Sequence, residues 1–195
     1  MKKIVHLLLF LFALGLYTSN AQIQTGLETG LQVPVAGFAS PGFGFGASGK
    51  YSLKDNINVG ANLHLNFFSG DYYDPYFNNN LRNKTAITSI KGLFEYYYLT
   101  TIFKDKLKPY AGGDIGFYFW REKGYSYWIN PAGNPVYDSR IYNGIAFGIA
   151  PMGGVTYELT DKLVVDSNLK LNLLLTDPDM SYLGINFGLF YKLDL

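Results

Sequence analysis

The chain contains no cysteine, so no disulfide can brace it, no thiolate can serve as nucleophile or metal ligand, and no N-terminal lipid can be attached. Histidine is almost as scarce. The two present, His6 and His64, are too few for the usual zinc sites. Charge is sparse too: Asp, Glu, Lys and Arg make up 16% of the residues, against roughly 25% in an ordinary soluble domain. The formal net charge of +1 gives nucleic acid or an acidic partner no bulk attraction to follow. Past Leu16 there is no long apolar run either, which excludes a membrane-crossing helix and leaves strands as the only means of insertion.

Glycine and aromatics are what the chain has in quantity, with Gly 22, Tyr 17 and Phe 15. That richness beside so few charges suits a β-rich protein whose surface is not all in water. With 195 residues there is enough chain for one domain with a substantial core.

The first twenty-one residues read as a secretory signal peptide. Lys2 and Lys3 precede the apolar stretch Leu7 to Leu16, and Ser19-Asn20-Ala21 offers small residues for cleavage before Gln22. A membrane anchor would need a longer run, without a cleavage site directly behind it. Removal of the segment takes two lysines and no acid, turning the net charge from +1 to −1.

From Gln22 onward the sequence alternates. In the closing segment Leu183, Ile185, Phe187, Leu189, Tyr191, Leu193 and Leu195 alternate with Tyr182, Gly184, Asn186, Gly188, Phe190, Lys192 and Asp194. A period of two marks a strand with one greasy and one polar face. The same pattern recurs in Gln24 to Val35, Gly42 to Leu53, Ile57 to Phe68, Ser89 to Tyr98 (interrupted by Leu93), Leu107 to Trp120, Tyr142 to Leu159 and Leu163 to Leu173. Short turns at Lys54–Asn56, Thr100–Lys106 and Thr160–Lys162 alternate with longer connections, of which Ser69 to Thr85 and Arg121 to Tyr142 read as long loops. An even number of strands, with short turns at one rim and long loops at the other, predicts an all-β fold. It is an eight-stranded antiparallel up-and-down transmembrane β-barrel over residues 22–195.

Alternation alone leaves open which face is outside, since a soluble lipocalin-like barrel would bury the apolar rows. Those rows carry too many bulky side chains for the narrow interior of eight strands, whereas the glycine- and asparagine-rich rows fit it. A water-facing surface would also carry more charge. The apolar face is therefore expected to meet lipid.

Lys108-Pro109-Tyr110-Ala111-Gly112-Gly113, the run Gly148-Ile149-Ala150-Pro151-Met152-Gly153-Gly154-Val155-Thr156-Tyr157-Glu158 and the closing strand together resemble the small outer-membrane β-barrel family of the OmpA/OmpX/OmpW-like kind. The resemblance covers Gln22 to Leu195 and is architectural. It implies an outer-membrane location with both termini periplasmic, contact with outer-membrane lipid and lipopolysaccharide, and delivery by the barrel assembly machinery. It further implies a monomer. The family's last strand commonly ends in an aromatic residue that the assembly machinery reads; here the end is Leu195, with Phe190 and Tyr191 shortly before it.

The rows expected to face the lumen hold Glu28, Lys50, Lys91, Glu95, Lys108, Asp114, Glu158, Asp166, Lys170, Lys192 and Asp194, five positive and six negative. Near balance of this kind points to ion pairs filling the lumen, with a charged conduit as the sharper alternative. His64 lies on the same face. Lipid A-modifying enzymes of this architecture pair a histidine with a serine and a carboxylate, and the local Leu63-His64-Leu65-Asn66 lacks a serine two residues on. A lumen histidine satisfied by its neighbours is the favoured reading, and no catalytic residue is assigned. Tyr72, Tyr73, Tyr76, Tyr125, Tyr127, Trp128 and Tyr137 crowd the two long loops, either as contacts for an unknown extracellular ligand or as part of the upper aromatic girdle. Asp71, Asp74, Asp177 and Asp179 match no calcium-loop spacing. No cofactor and no nucleic acid is expected. Three functions compete: a structural and surface-interaction barrel, a narrow passage for small or hydrophobic molecules, and, least favoured, a lipid A-modifying enzyme.

Overall fold

The computed structural model describes residues 22–35, 39–74, 79–98, 106–175 and 180–194, with the backbone alone at 71–74, 79–82, 125–127, 135, 137 and 194. The signal-peptide segment, Tyr76, residues 100–105 of the Thr100–Lys106 turn, Asp177 and Asp179 lie outside the described residues. Eight strands follow one another: β1 (Gln22–Pro34), β2 (Gly42–Lys54), β3 (Ile57–Asp74), β4 (Asn79–Tyr97), β5 (Leu107–Ile129), β6 (Pro135–Glu158), β7 (Leu163–Leu175) and β8 (Tyr182–Asp194). Each pairs antiparallel with the next. The seam from Gln22↔Asp194 to Pro34↔Tyr182 joins β1 to β8 and closes the barrel. Closure removes the unpaired edges that a sheet could not leave exposed in lipid.

Period-two alternation resolves into an inside and an outside. Thirty large apolar or aromatic side chains are exposed among the described residues, Leu27, Ile115, Ile145, Leu169 and Phe187 among them, each more than half exposed. Their chain neighbours Glu28, Asp114, Asn168 and Lys170 are buried. This inverts the soluble arrangement and rules out the lipocalin-like assignment, because so wide an apolar belt is not left in water. The thirteen-residue strands β1, β2, β7 and β8 rise about 3.3 Å per residue, so at a tilt of about 45° they cover about 30 Å, the thickness of a bilayer's hydrocarbon. No described helix is long and apolar enough to cross a membrane.

Two segments expected as long loops are strands. Pairing of β3 with β4 continues from Phe68↔Thr85 to Asp74↔Asn79, and that of β5 with β6 from Arg121↔Asn143 to Ile129↔Pro135. The reason lies in the solvent. Alternation betrays a strand only where one face meets lipid and the other the lumen, and above the membrane both faces can be polar while the hydrogen-bond ladder goes on. The true connection between β5 and β6 is residues 130–134. There Asn130 Oδ1 accepts from the Ala132 and Asn134 amides at 3.0 and 2.9 Å, and Gly133 supplies a φ of 80°.

Leu93 is a second correction. It does not interrupt β4: it points inward and packs with Tyr97, Tyr110 and Met152. The interior is partly apolar, so an apolar residue on an inward row breaks no rule.

The barrel interior and outer rim as candidate functional site

Inside the wall the charged rows converge into layers. Nearest the short-turn end, Glu158 accepts from Lys108 at 2.7 Å and from Lys192 at 2.9 Å, with Lys108 and Glu158 still partly open to solvent. Above this rim lies a buried centre on Lys50. Its ammonium contacts Glu95 at 2.7 Å and Asp166 at 2.8 Å, and lies 4.2 Å from the centre of the Phe190 ring. Each carboxylate is held again by a phenol: Tyr97 donates to Glu95 and Tyr110 to Asp166, both at 2.8 Å.

A second buried centre forms on Asp114. One of its oxygens, Oδ2, takes Lys170 at 2.8 Å, Lys91 at 3.1 Å and Asn62 at 3.0 Å. Lys91 and Tyr118 both donate onward to Asn172 Oδ1, at 3.3 and 3.1 Å. Beside it Glu28 receives Ser48 at 2.7 Å and faces His64 Nε2 at 3.3 Å. Amides tie the layers together: Gln32 donates to Asn186, and Asn186 to Asn168, each at 2.9 Å. In a region of low dielectric a buried charge is tolerated where an opposite charge and further hydrogen bonds meet it, as Lys50, Glu95 and Asp166 do with the two phenols.

Toward the long-connection end the filling turns apolar. Phe68, Ile87, Tyr118, Ala146, Leu174, Met180 and Tyr182 pack into one cluster with Trp120 and Ala39 against it. Glycines make the room. A Cβ on Gly144 would meet the Trp120 ring at 2.7 Å, and one on Gly154 would meet the Tyr110 phenol at 2.7 Å.

The structure thus brings Glu28, Lys50, His64, Lys91, Glu95, Asp114, Asp166 and Lys170 together in the buried interior, while Lys108, Glu158 and Lys192 make a separate triad at the rim. The described tyrosines of the loop set fall on the upper parts of β3, β5 and β6, where Tyr127 and Tyr137 are cross-strand partners. Tyr72 and Tyr73 belong to β3, Tyr125, Tyr127 and the exposed Trp128 to β5, and Tyr137 to β6, so they lie on strands and not in loops. Asp71 and Asp74 also fall in β3. No group of three metal-ligating side chains occurs among the described residues. Sequence reasoning missed the inward Tyr118 and Met152 and the apolar cluster. Parity from Gly116 and Gly148 could have placed both, had bulk not been assigned to the outside.

In fold the chain is a small eight-stranded barrel of the outer-membrane type. The crystal structure of a major outer membrane protein from Thermus thermophilus superposes with a TM-score of 0.56 at 12% identity, covering 89% of this chain and 100% of that one. Ail of Yersinia pestis, crystallised with the heparin analogue sucrose octasulfate, gives 0.49 at 12% identity over 89% of this chain and 97% of its own. Neisserial surface protein A gives 0.48 at 13% identity, over 91% and 98%. At such identities the likeness is one of fold. No family model matches the chain, and no curated protein matches it in sequence.

Proposed function

We propose that the protein is an integral outer-membrane barrel with a sealed lumen, whose task is to hold a projecting β-sheet outside the cell for contact with other molecules. The observation that carries this reading is the unequal height of the wall. β7 stops at its Phe147↔Leu175 pair and β2 at Phe43↔Phe67, while β3, β4, β5 and β6 run on together. Residues 135–146 of β6 alone amount to about 40 Å of extended chain. Among the described residues this four-stranded sheet has no partner strand beside the upper parts of β3 and β6. Upper edges with no paired strand among the described residues, together with exposed Trp128, Ile129, Ile141 and Tyr142, suit pairing with an extended segment of another protein.

A passage through the barrel finds less support, since both charge centres and the apolar cluster lie across the lumen. A lipid-modifying activity finds less still: His64 is directed at Glu28 inside the wall, away from lipid. An epitope inserted between Ala132 and Gly133 should be reached by antibody on intact cells. Labelling only after the outer membrane has been breached would sink the proposed orientation.

A further inference from the structure

From Gly124 to Tyr137 the hairpin that joins β5 to β6 carries no charged residue in a run of fourteen. Trp128, Ile129, Ala132 and Val136 are apolar, and Tyr125, Tyr127 and Tyr137 add three further aromatic residues. A sheet that stands in water is expected to mix charges into its surface. This one does so lower down, with Arg121, Glu122 and Lys123 on β5 and Asp138 and Arg140 on β6. There Arg140 meets Asp138 at 3.3 Å. Among the described residues β4 pairs with β5 no farther than Arg82↔Tyr125, so β5 and β6 continue as a pair alone from Ser126↔Asp138 to Ile129↔Pro135. At that end Trp128 is 38% and Ile129 62% exposed.

The turn at the tip has no backbone donor left to give. Asn130 N–H donates to the Asn134 carbonyl and Gly133 N–H to the Asn130 carbonyl, each at 2.9 Å. The Ala132 and Asn134 amides both end on Asn130 Oδ1, and Pro131 and Pro135 have no N–H. Leaving water therefore strands no amide of this turn, the condition an apolar medium sets on any backbone that enters it. The tip is also out of reach of the barrel's own bilayer. Phe119 and Ile145 are exposed partners on the apolar wall, with Arg121 opposite Asn143 above them. Ile129 stands ten residues beyond Phe119, about 33 Å of extended chain and, at a tilt of about 45°, about 23 Å higher.

We infer that the tip docks on the surface of an apposed phospholipid bilayer, one other than the membrane that holds the barrel. Trp128 and Ile129 enter its interfacial layer, where an indole, apolar in body with a polar N–H, is favoured. The paired Asp138 and Arg140 stay in the water between the two membranes. A groove on another protein is the weaker reading. Extended chains are gripped there through backbone hydrogen bonds, and the turn's N–H groups are already taken. The inference rests on the outward-projecting sheet proposed above and gives its end a ligand class different from that of its edges.

The test uses the full chain reconstituted at many copies per phosphatidylcholine vesicle, so that weakly binding tips act together. Protein-free vesicles of brominated phosphatidylcholine are the probe, and tryptophan quenching is the readout. Wild type should lose emission on mixing, whereas W128F, which keeps only Trp120 packed against the interior cluster, should lose none. W128S/I129S should co-sediment with sucrose-loaded probe vesicles about tenfold more weakly per side chain, on the order of a hundredfold in all. Binding should persist between about 0.05 and about 0.5 M salt, because apolar insertion is not screened. Heat-dependent migration on SDS gels checks that each variant is folded. Equal emission changes in wild type and W128F overturn the inference and turn the tip toward a protein groove; binding lost at high salt overturns it as well. An epitope after Ala132 that is reached on intact cells, beside an unquenched Trp128, overturns this inference alone. An epitope hidden on intact cells overturns the projecting sheet and the inference with it.

Discussion

Lys50 shows how much a single lumen side chain has to hold. Its ammonium is the shared partner of Glu95 and Asp166, all three buried. Replacing it with methionine keeps the bulk and leaves two carboxylates facing each other without a cation. The Lys50→Met barrel should lose about 3–5 kcal/mol, read as a lower urea midpoint for unfolding from lipid vesicles. Adding Glu95→Gln and Asp166→Asn should restore most of that loss, because no uncompensated charge then remains. A variant as stable as wild type would mean that water, not Lys50, balances the two acids. The inward direction of these residues was legible from parity alone. The choice of partners was not: Lys50 and Asp166 are 116 positions apart and meet only across the closed lumen.

Among the strands, β8 and β6 teach opposite lessons. β8 keeps strict alternation from end to end, so its outward Leu189 and inward Lys192 could be assigned from sequence, and the structure has them exposed and buried. Leu189 lies near the middle of the strand. A Leu189→Lys substitution there should cost roughly 2–4 kcal/mol in lipid vesicles, measured by the same urea unfolding, whereas Leu189→Phe should be near neutral. An equal, small effect of both would place the residue at an interface and shift the membrane band along the barrel. β6 loses its alternation above Ile145, and its upper part was expected as loop for that reason. Once both faces meet water, a strand's hydrogen bonds leave no mark in the order of its side chains. The turn itself did leave one: Asn130, Gly133 and Asn134 stand together, a turn composition whose place became clear only with the Ile129↔Pro135 pairing.

At the scale of the whole barrel, filling of the lumen decides permeability. The described residues include three layers across the bore: the Lys108–Glu158–Lys192 rim, the Lys50 and Asp114 centres, and the apolar cluster around Tyr118 and Tyr182. Protein in a planar bilayer should therefore give no stable single-channel steps. Removing Tyr118 and Tyr182 together should raise the frequency of brief openings. Steady conductance from the wild type would restore the passage reading.

Strand number, the inside and outside of each row, and the membrane-facing character of the surface could all be read along the chain. They depend on a residue's nearest neighbours and on the period-two geometry of an extended backbone. Two things could not be read: which lysine meets which carboxylate, and how far β3 to β6 rise beyond their neighbours. Both depend on register between strands, and register is set by closure of the barrel as a whole.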